Sequence, residues 1–495
     1  MEHVVEPREL KKGAELQLHI ADAAFEGKTV SRLDGFVIFI EGGVPGDLVT
    51  ARITKVKKAY GEARVVRIEE PSPLRVDPRC AYFGTCGGCK WQSVGYATQL
   101  QFKQQHVVDA FERIGGFTDL PMLPIIGAEE IYFYRNKMEY SFSDKQWLDE
   151  ASHSEQVQRT KTPVDDGMLR SAQHDSNKSE IFLGLHVPQR YDKVLDITEC
   201  HLQSQVSNRI LNATRAFARE SKLPVYDSDS NAGYFRFLVI RQSTRTDEVM
   251  VNLVTFEDKP DVMTQYTRAL QSVVPEVTTI VNTVNAKKAQ IAFGEVEKTY
   301  FGDGVIHERL GTHVFTISAS SFFQTNTAQA ERLYGVATSF ADVKRSEVVW
   351  DLYSGTGSIA LFLSDSAKEV VGIESVESAV RDAKRNATAN GVQNCQFILG
   401  DLKDRLTKDA GWMASHAKPD VMIIDPPRSG MHQQVVEEIL NLAPGRIVYV
   451  SCNPTTQARD VKLLCASNYK LVKLQPVDMF PHTYHIENVA LLHRA

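Results

Sequence analysis

The sequence predicts a multidomain α/β protein: a small N-terminal β-barrel, a mostly β middle with a cysteine cluster, and a C-terminal doubly wound sheet. Three observations predict it. Short strands parted by Gly and Pro turns fill the first seventy residues; three cysteines crowd into positions 80 to 89; and from about 325 apolar strand runs alternate with helical stretches. A chain of 495 residues holds about three domains of ordinary size, and they fall at 7–70, 74–310 and 311–495.

In the first domain, residues 16–19, 35–40, 48–53 and 63–68 read as strands, with Gly42-Gly43 and Pro45-Gly46-Asp47 as turns. Strands so short and turns so frequent suit a small closed barrel of a kind that often carries RNA. Between 52 and 67, Arg52, Lys55, Lys57, Lys58, Arg64 and Arg67 oppose only Glu62, which fits a phosphate-binding strand or a solvated one equally. After Pro71-Ser-Pro73 the composition shifts. Cys80, Cys86 and Cys89 follow, and clustering that tight asks for a ligand.

Residues 94–117 have the apolar spacing of a helix, expected to lie on the C-terminal domain, and Gly115-Gly116 ends it. Segments 235–241 and 248–256 alternate as paired strands, and the chain to about 310 reads as mostly β. Residues 145–180 are polar and lack apolar periodicity, so a mobile surface insertion without assigned function is expected there.

In the last domain the apolar runs 348–352, 370–373, 397–399, 421–424 and 447–450 make a parallel sheet, with 470–474 and 489–492 as a closing hairpin whose last strand is antiparallel. The first of these strands enters Asp351-Leu-Tyr-Ser-Gly-Thr-Gly357 and a helix, where glycines let the backbone approach a ligand. Glu374 ends the second strand, placed to accept from two ribose hydroxyls. The turn also fits a dinucleotide; Asp351, and the lack of a third glycine, favour S-adenosylmethionine.

The fourth strand ends in Asp425-Pro-Pro-Arg428 and the fifth in Ser451-Cys452-Asn-Pro454. Chemistry gathers at the carboxyl ends of such strands, so Asp425 and Cys452 fall side by side near the methyl donor. A strand-end cysteine is usually a small buried hydrophobe; its place opposite an acidic Asp-Pro-Pro turn argues for more. Carbon 5 of uracil is too weak a nucleophile to take a methyl group unaided, and thiolate addition at carbon 6 activates it. The carbon-5 proton must then leave to a base. An antiparallel last strand begins beside Cys452 and brings Glu487 to that place, with the role of His485 open.

Composition narrows the class without naming it. A net charge of −6 does not advertise nucleic-acid binding, yet RNA responds to local patches and not to the average. No run of eighteen apolar residues appears, and Met1-Glu-His-Val-Val-Glu lacks the apolar core of a signal peptide, so a cytoplasmic protein is expected. Seven cysteines are too few and too uneven for a disulfide framework.

Five motifs in order, Ser321-Phe-Phe-Gln-Thr-Asn326, Asp351-Leu-Tyr-Ser-Gly-Thr-Gly357, Asp425-Pro-Pro-Arg428, Ser451-Cys-Asn-Pro-Thr455 and His485-x-Glu487, resemble the S-adenosylmethionine-dependent RNA uracil-5 methyltransferases. The likeness spans nearly the whole chain outside 145–180 and is nearest to the ribosomal RNA branch, with an N-terminal TRAM barrel, an iron–sulfur cluster and a class I Rossmann-like methyltransferase domain. It implies Cys452 as nucleophile and Glu487 as base. It also implies that Gln324, Tyr353, Ser358, Glu374, Asp401 and Asp425 line the cofactor pocket, Gln324 and Asp425 near the target base too. The family often has Asn where Ser358 stands, and serine can still donate. The resemblance adds Cys200 to Cys80, Cys86 and Cys89 as ligands of a [4Fe–4S] cluster; spacing alone fits zinc equally, and Cys86-Gly-Gly-Cys89 also fits a redox pair.

The implied partner is structured RNA, 23S ribosomal RNA ahead of the T-loop of transfer RNA, with the target uridine flipped or unpaired. Tyr134-Arg-Asn-Lys137 and its neighbouring aromatics are expected as backbone and stacking contacts, and a monomer is the default. Three rivals stand beside this reading. A dinucleotide oxidoreductase leaves Cys452, Glu487 and the Asp-Pro-Pro turn unexplained. An adenine amino methyltransferase wants an aromatic where Arg428 stands, and an idle RNA-binding factor has no use for Cys452 and Glu487.

Overall fold

Alternating apolar residues curl the first strands around one small core. The computed structural model describes residues 10–147, 180–187 and 190–495, so nearly all of the 145–180 insertion lies outside the described residues. Strands β1 (Glu15–His19), β2 (Asp22–Ala23), β3 (Thr29–Leu33), β4 (Phe36–Glu41), β5 (Leu48–Val56) and β6 (Tyr60–Glu70) form one sheet in the order β1-β5-β6-β4-β3-β2. Leu18, Ile20, Ile38, Ile40, Val49 and Ile53 fill its concave side. Strand β1 runs through Ile20 and Ala21 straight into β2, so both ends of that order belong to one bent stretch of chain. The Ile20 N–H donates to the Asp47 carbonyl at 2.9 Å and the Ala21 N–H to the Val30 carbonyl at 2.8 Å, and the expected barrel closes there. Neither β2 nor β3 stands out in the sequence: β2 is only two residues long, and in β3 the inward positions Thr29 and Ser31 are buried but polar and leave no apolar alternation. Half of the basic strand is already neutralised: Arg52 pairs with Glu15, Lys55 with Glu62 and Arg67 with Glu69.

Helix α1 (Tyr96–Ala110) passes into a wider turn, Phe111–Gly115, and stops at Gly116, whose φ of +76° ends it as a left-handed cap. Its Val107, Ala110 and Phe111 join the core beneath the last sheet, beside Trp350 and Tyr449. The chain then runs along that sheet's edge, where Met122 bridges Leu474 and Ile126 bridges Val477.

The middle sheet contains β7 (Lys137–Ser143), β8 (Phe182–Val187), β9 (Arg190–Asp196), β10 (Phe235–Gln242), β11 (Val249–Thr255), β12 (Thr279–Val284) and β13 (Val296–Phe301), in the order β13-β12-β11-β10-β7-β8-β9. The expected pair, β10 and β11, is antiparallel. The expectation of a mostly β middle needs correction, because α2 (Gln205–Ser221) and α3 (Pro260–Val273) are also present. They lay Ile210, Leu211, Met263, Tyr266 and Leu270 into the core of this sheet. The start signals of both stand in the sequence: Ser204 caps α2 through the Ser207 N–H, and Pro260 opens α3.

The hairpin β14 (Val305–Leu310) and β15 (His313–Ser318) leads to α4 (Thr327–Ala341). Alternation of strand and helix follows: β16 (Val348–Leu352), α5 (Ser358–Ser364), β17 (Glu369–Glu374), α6 (Glu377–Ala389), β18 (Cys395–Leu399), α7 (Leu402–Lys408), α8 (Ala410–Ser415), β19 (Val421–Ile424), α9 (Gln433–Leu442), β20 (Arg446–Ser451), α10 (Pro454–Cys465), β21 (Tyr469–Val477) and β22 (Glu487–Arg494). The sheet order is β18-β17-β16-β19-β20-β22-β21. Strands β16 to β20 are parallel, and the order reverses at β16, where such sheets open a ligand crevice. As expected, β22 is antiparallel, and it slots between β20 and β21. Among the described residues no helix is long and apolar enough to cross a membrane.

Candidate active site

The turn after β16 is shaped by positive φ at Tyr353 (+64°), Gly355 (+54°) and Gly357 (+79°). Its two glycines differ in purpose. A Cβ on Gly357 would lie 2.7 Å from the Phe397 ring and 3.1 Å from Ala383, so that position exists for close packing. A Cβ on Gly355 would meet nothing within 4 Å; that glycine borders open space. Its N–H donates to Glu374 Oε2 at 3.0 Å, and the Val376 N–H donates to Oε1 at 2.8 Å, so the Glu374 carboxylate is aimed from the end of β17.

Beside it lies a cavity of about 160 Å³ bordered by Tyr353, Ile373, Glu374, Asp401, Leu402 and His432. Three of the six residues implied for the cofactor thus share one hollow. The other three, Gln324, Ser358 and Asp425, gather elsewhere, around the phenol of Tyr334 on α4. That hydroxyl is in hydrogen-bonding reach of Ser358 and Gln324; burial, with the charges of Asp425 and Glu487 nearby, raises its pKa. Tyr334 reads in sequence as an ordinary helix core residue, and nothing there marks its hydroxyl. Phe322 is another residue to which the sequence gives no role: its large ring is 66% exposed, two positions before Gln324. His432, at the N-terminus of α9, also escapes sequence reasoning.

Strand register sets the reaction end. Ser451 pairs with Asn488, so Cys452 and Glu487 stand opposite each other where β20 ends and β22 begins. Asp425 follows the neighbouring strand β19. Burial pushes the Cys452 thiol up to about 11; Glu487 and Asp425 add to this, while Arg428, which hydrogen-bonds towards the sulfur, opposes it. Asp425 keeps some solvent contact, yet protein encloses its carboxyl enough to push it up to about 7. Glu487, 6% exposed, is held well above the carboxylate range by burial and then by Asp425. Asp351 is raised likewise by burial and Asp425, relieved only by the Ala360 backbone. Burial, with Arg428 next, pulls His485 down to about 4, so its ring is neutral and Nδ1 accepts from Arg428 Nη2 at 3.0 Å. Arg428 is held from behind as well, where its carbonyl accepts from Asn453 Nδ2 at 3.0 Å. The arrangement can add a thiolate to an electrophile and move protons through two carboxyls.

Cys80, Cys86, Cys89 and Cys200 border a second cavity together with Tyr82, Gln92 and Leu185. Burial raises all four thiols, Cys86 to about 11 and Cys89 to about 12, and Cys200 lies close enough to raise both further. Gly88 N–H reaches Cys86 Sγ at 3.4 Å and Gln92 Nε2 reaches Cys89 Sγ at 3.3 Å, contacts that suit charged thiolates. As they stand, the sulfurs share a cavity without closing to ligand geometry; among the described residues no group of three or more His, Cys, Asp or Glu does so. Four thiols on one hollow, with donors aimed at two of them, fit a soft metal centre. Behind Tyr134-Arg-Asn-Lys137, Tyr134 itself is buried and Asn136 ties to Thr327 Oγ1 at 2.9 Å, so these two serve packing and not an RNA surface.

The family model described as tRNA (Uracil-5-)-methyltransferase matches residues 227–495, and the TRAM domain model matches 9–66. A Porphyromonas gingivalis protein described as an uncharacterized RNA methyltransferase is 43% identical over 480 residues, covering 96% of this chain and 99% of its own. One of the same description from Chlorobaculum tepidum is 42% identical over 489 residues, covering 98% and 97%. Among solved structures, the tRNA (uracil-54, C5)-methyltransferase of Pyrococcus abyssi, in complex with S-adenosyl-L-homocysteine, superposes with a TM-score of 0.71 at 27% identity, over 96% of this chain and all of that one (100%).

Proposed function

Because the chain belongs to the tRNA (uracil-5-)-methyltransferase family, we propose that it methylates carbon 5 of a uridine in a structured RNA, with S-adenosylmethionine as donor. The observation that carries this reading is the strand register that sets a thiol, Cys452, against a buried carboxyl, Glu487. The donor follows from charge. Asp351, Asp425 and Glu487 are all raised by burial, and charge on one opposes charge on its neighbours. Such a pocket favours a cation and disfavours the pyrophosphate of a dinucleotide. The donor supplies an electrophilic methyl group on a positively charged sulfur. Tyr353, Glu374 and Asp401 would hold its nucleoside end, and Gln324, Ser358 and Asp425 the end that faces the base.

Each residue then has a defined task. Cys452 Sγ bonds to carbon 6, and its proton passes to Asp425, which near pH 7 is part ionised and able to take it. The new bond leaves an enolate with electron density on carbon 5, which takes the methyl group. Glu487, ionised as a cation enters the pocket, removes the carbon-5 proton. That electron pair restores the ring double bond and expels Cys452 as thiolate, which recovers its proton from Asp425. Arg428 stabilises the sulfur whenever it is charged, and neutral His485 fixes Arg428 in place. The exposed ring of Phe322 offers a stacking surface to a flipped base.

The target we assign is 23S ribosomal RNA, on the barrel and the four-cysteine set. In this reading Cys80, Cys86, Cys89 and Cys200 hold a [4Fe–4S] cluster that braces the middle domain, since methyl transfer moves no electrons. The T-loop uridine of transfer RNA is the second reading, favoured by the likeness to the Pyrococcus abyssi enzyme. Tritium release from RNA labelled at carbon 5 of uridine, run on 23S RNA and transfer RNA in parallel, tests both. Release from one substrate is expected; methyl incorporation without release would remove the roles given to Cys452 and Glu487.

A further inference from the structure

The turn between β21 and β22 carries His485 and delivers Glu487 to the first position of β22. It is held by residues from far earlier in the chain. Lys103 Nζ donates to Asp478 Oδ1 at 2.6 Å across 375 positions, and to the Phe480 carbonyl at 3.0 Å. The Tyr96 hydroxyl donates to Asp478 Oδ2 at 2.8 Å, and Gln99 Oε1 accepts from the His482 N–H at 2.9 Å. Tyr96, Gln99 and Lys103 lie at i, i+3 and i+7, one face of α1. The Tyr134 hydroxyl donates to the Pro481 carbonyl at 3.0 Å, and Asn326 Nδ2 to the Met479 carbonyl at 3.0 Å. The N–H groups of Lys90 and Trp91, just past Cys89, both donate to the His482 carbonyl, at 2.9 and 3.0 Å.

Both charged side chains at the centre of this network are fully buried. Apolar residues would fasten a helix to a turn equally well, because removing two charges from water offsets most of their attraction. What an ion pair adds is direction: an ammonium bonded at once to a carboxylate and a carbonyl accepts few relative placements of its partners. We propose that Lys103 and Asp478 are positioning residues for proton abstraction: from helix α1 they fix the turn that sets where Glu487 stands relative to carbon 5, without touching substrate. The inference rests on the reading of Glu487 as the base.

The test compares wild type, Glu487→Gln and the double variant Lys103→Met/Asp478→Asn, which leaves no lone buried charge. Single turnovers on carbon-5-tritiated RNA follow methyl transfer and tritium release separately, with the covalent protein–RNA adduct read on a denaturing gel. In the double variant methyl transfer should stay within about threefold of wild type while release slows by about tenfold or more, so that adduct accumulates. A general loss of fold lowers both signals together and gives no such split. Should the double variant fail to fold, Lys103→Arg keeps the charge and changes its geometry, and the same split is expected in smaller measure. Release that keeps pace with methyl transfer in the folded variants overturns the positioning role. If Glu487→Gln also accumulates no adduct, the base assignment fails and takes the positioning role with it.

Discussion

Cys452 sits where burial and two carboxyls oppose its ionisation and one guanidinium favours it. With its thiol near 11, the ligand-free protein keeps the sulfur protonated at neutral pH, which protects it from oxidation and alkylation. Iodoacetamide labelling of Cys452, located by mass spectrometry, should therefore accelerate about tenfold per pH unit between 7 and 10. Cys452→Ala should abolish turnover yet bind the donor nearly as well as wild type, by calorimetry; retained turnover would sink the thiolate mechanism. Asp425 carries a second signature. Between the ordinary carboxyl value of 3.8 and about 7, the folded protein binds more proton here than the unfolded chain does. Stability attributable to this group thus falls as pH rises through that window and is lowest above it. Asp425→Asn should raise the melting temperature at pH 8, with the gain fading towards pH 4, while activity is lost. A variant whose gain is the same at both pH values would contradict a raised Asp425.

At the scale of single elements, the turn after β16 is the most constrained piece of the site. Gly357→Ala combines a left-handed φ with contact against Phe397 and Ala383, and should cost about 2–4 kcal/mol in urea unfolding and weaken donor binding. Gly355→Ala shares the φ but not the clash, so its loss should be smaller in stability and felt in binding. What sequence made legible follows the same physics. Strands β16, β17, β19 and β20 are rich in Val and Ile and buried on both faces, and such runs announce themselves. The antiparallel course of β22 could be argued because two apolar segments stand close together. Strand β3 stayed hidden behind polar inward residues, β2 behind a length of two residues, and α2 and α3 behind the alternating strands on either side of them. Lys103 looked like any lysine of a surface helix. Its partner is 375 positions away, and no local pattern encodes a contact of that range.

On the scale of the whole molecule, sequence order and structural units part company. The last sheet is completed by α1 and by residues 121–126, which precede the middle sheet in the chain. Residues 311–495 expressed alone would bare the surface against Val107, Ala110 and Phe111 and leave Asp478 without its Lys103 and Tyr96 partners. That fragment should aggregate, and a fusion restoring residues 90–126 should recover soluble, cooperatively melting protein; a monomeric, cooperatively melting 311–495 fragment would show the packing to be dispensable. The same interleaving ties the cysteine loop to the reaction end, through Lys90 and Trp91 on the His482 carbonyl.

At the close of each turnover the buried carboxyls act on what departs. The donor enters as a cation and leaves as a neutral thioether, so the attraction that drew it in vanishes when the methyl group moves. Asp351 and Asp425 then face an occupant without that charge, while Glu487 holds the proton taken from carbon 5 on the proposed chemistry. On the proposed chemistry the electrostatic part of binding thus favours fresh donor over spent, and the acids that make chemistry difficult to start also bias the pocket towards the next round.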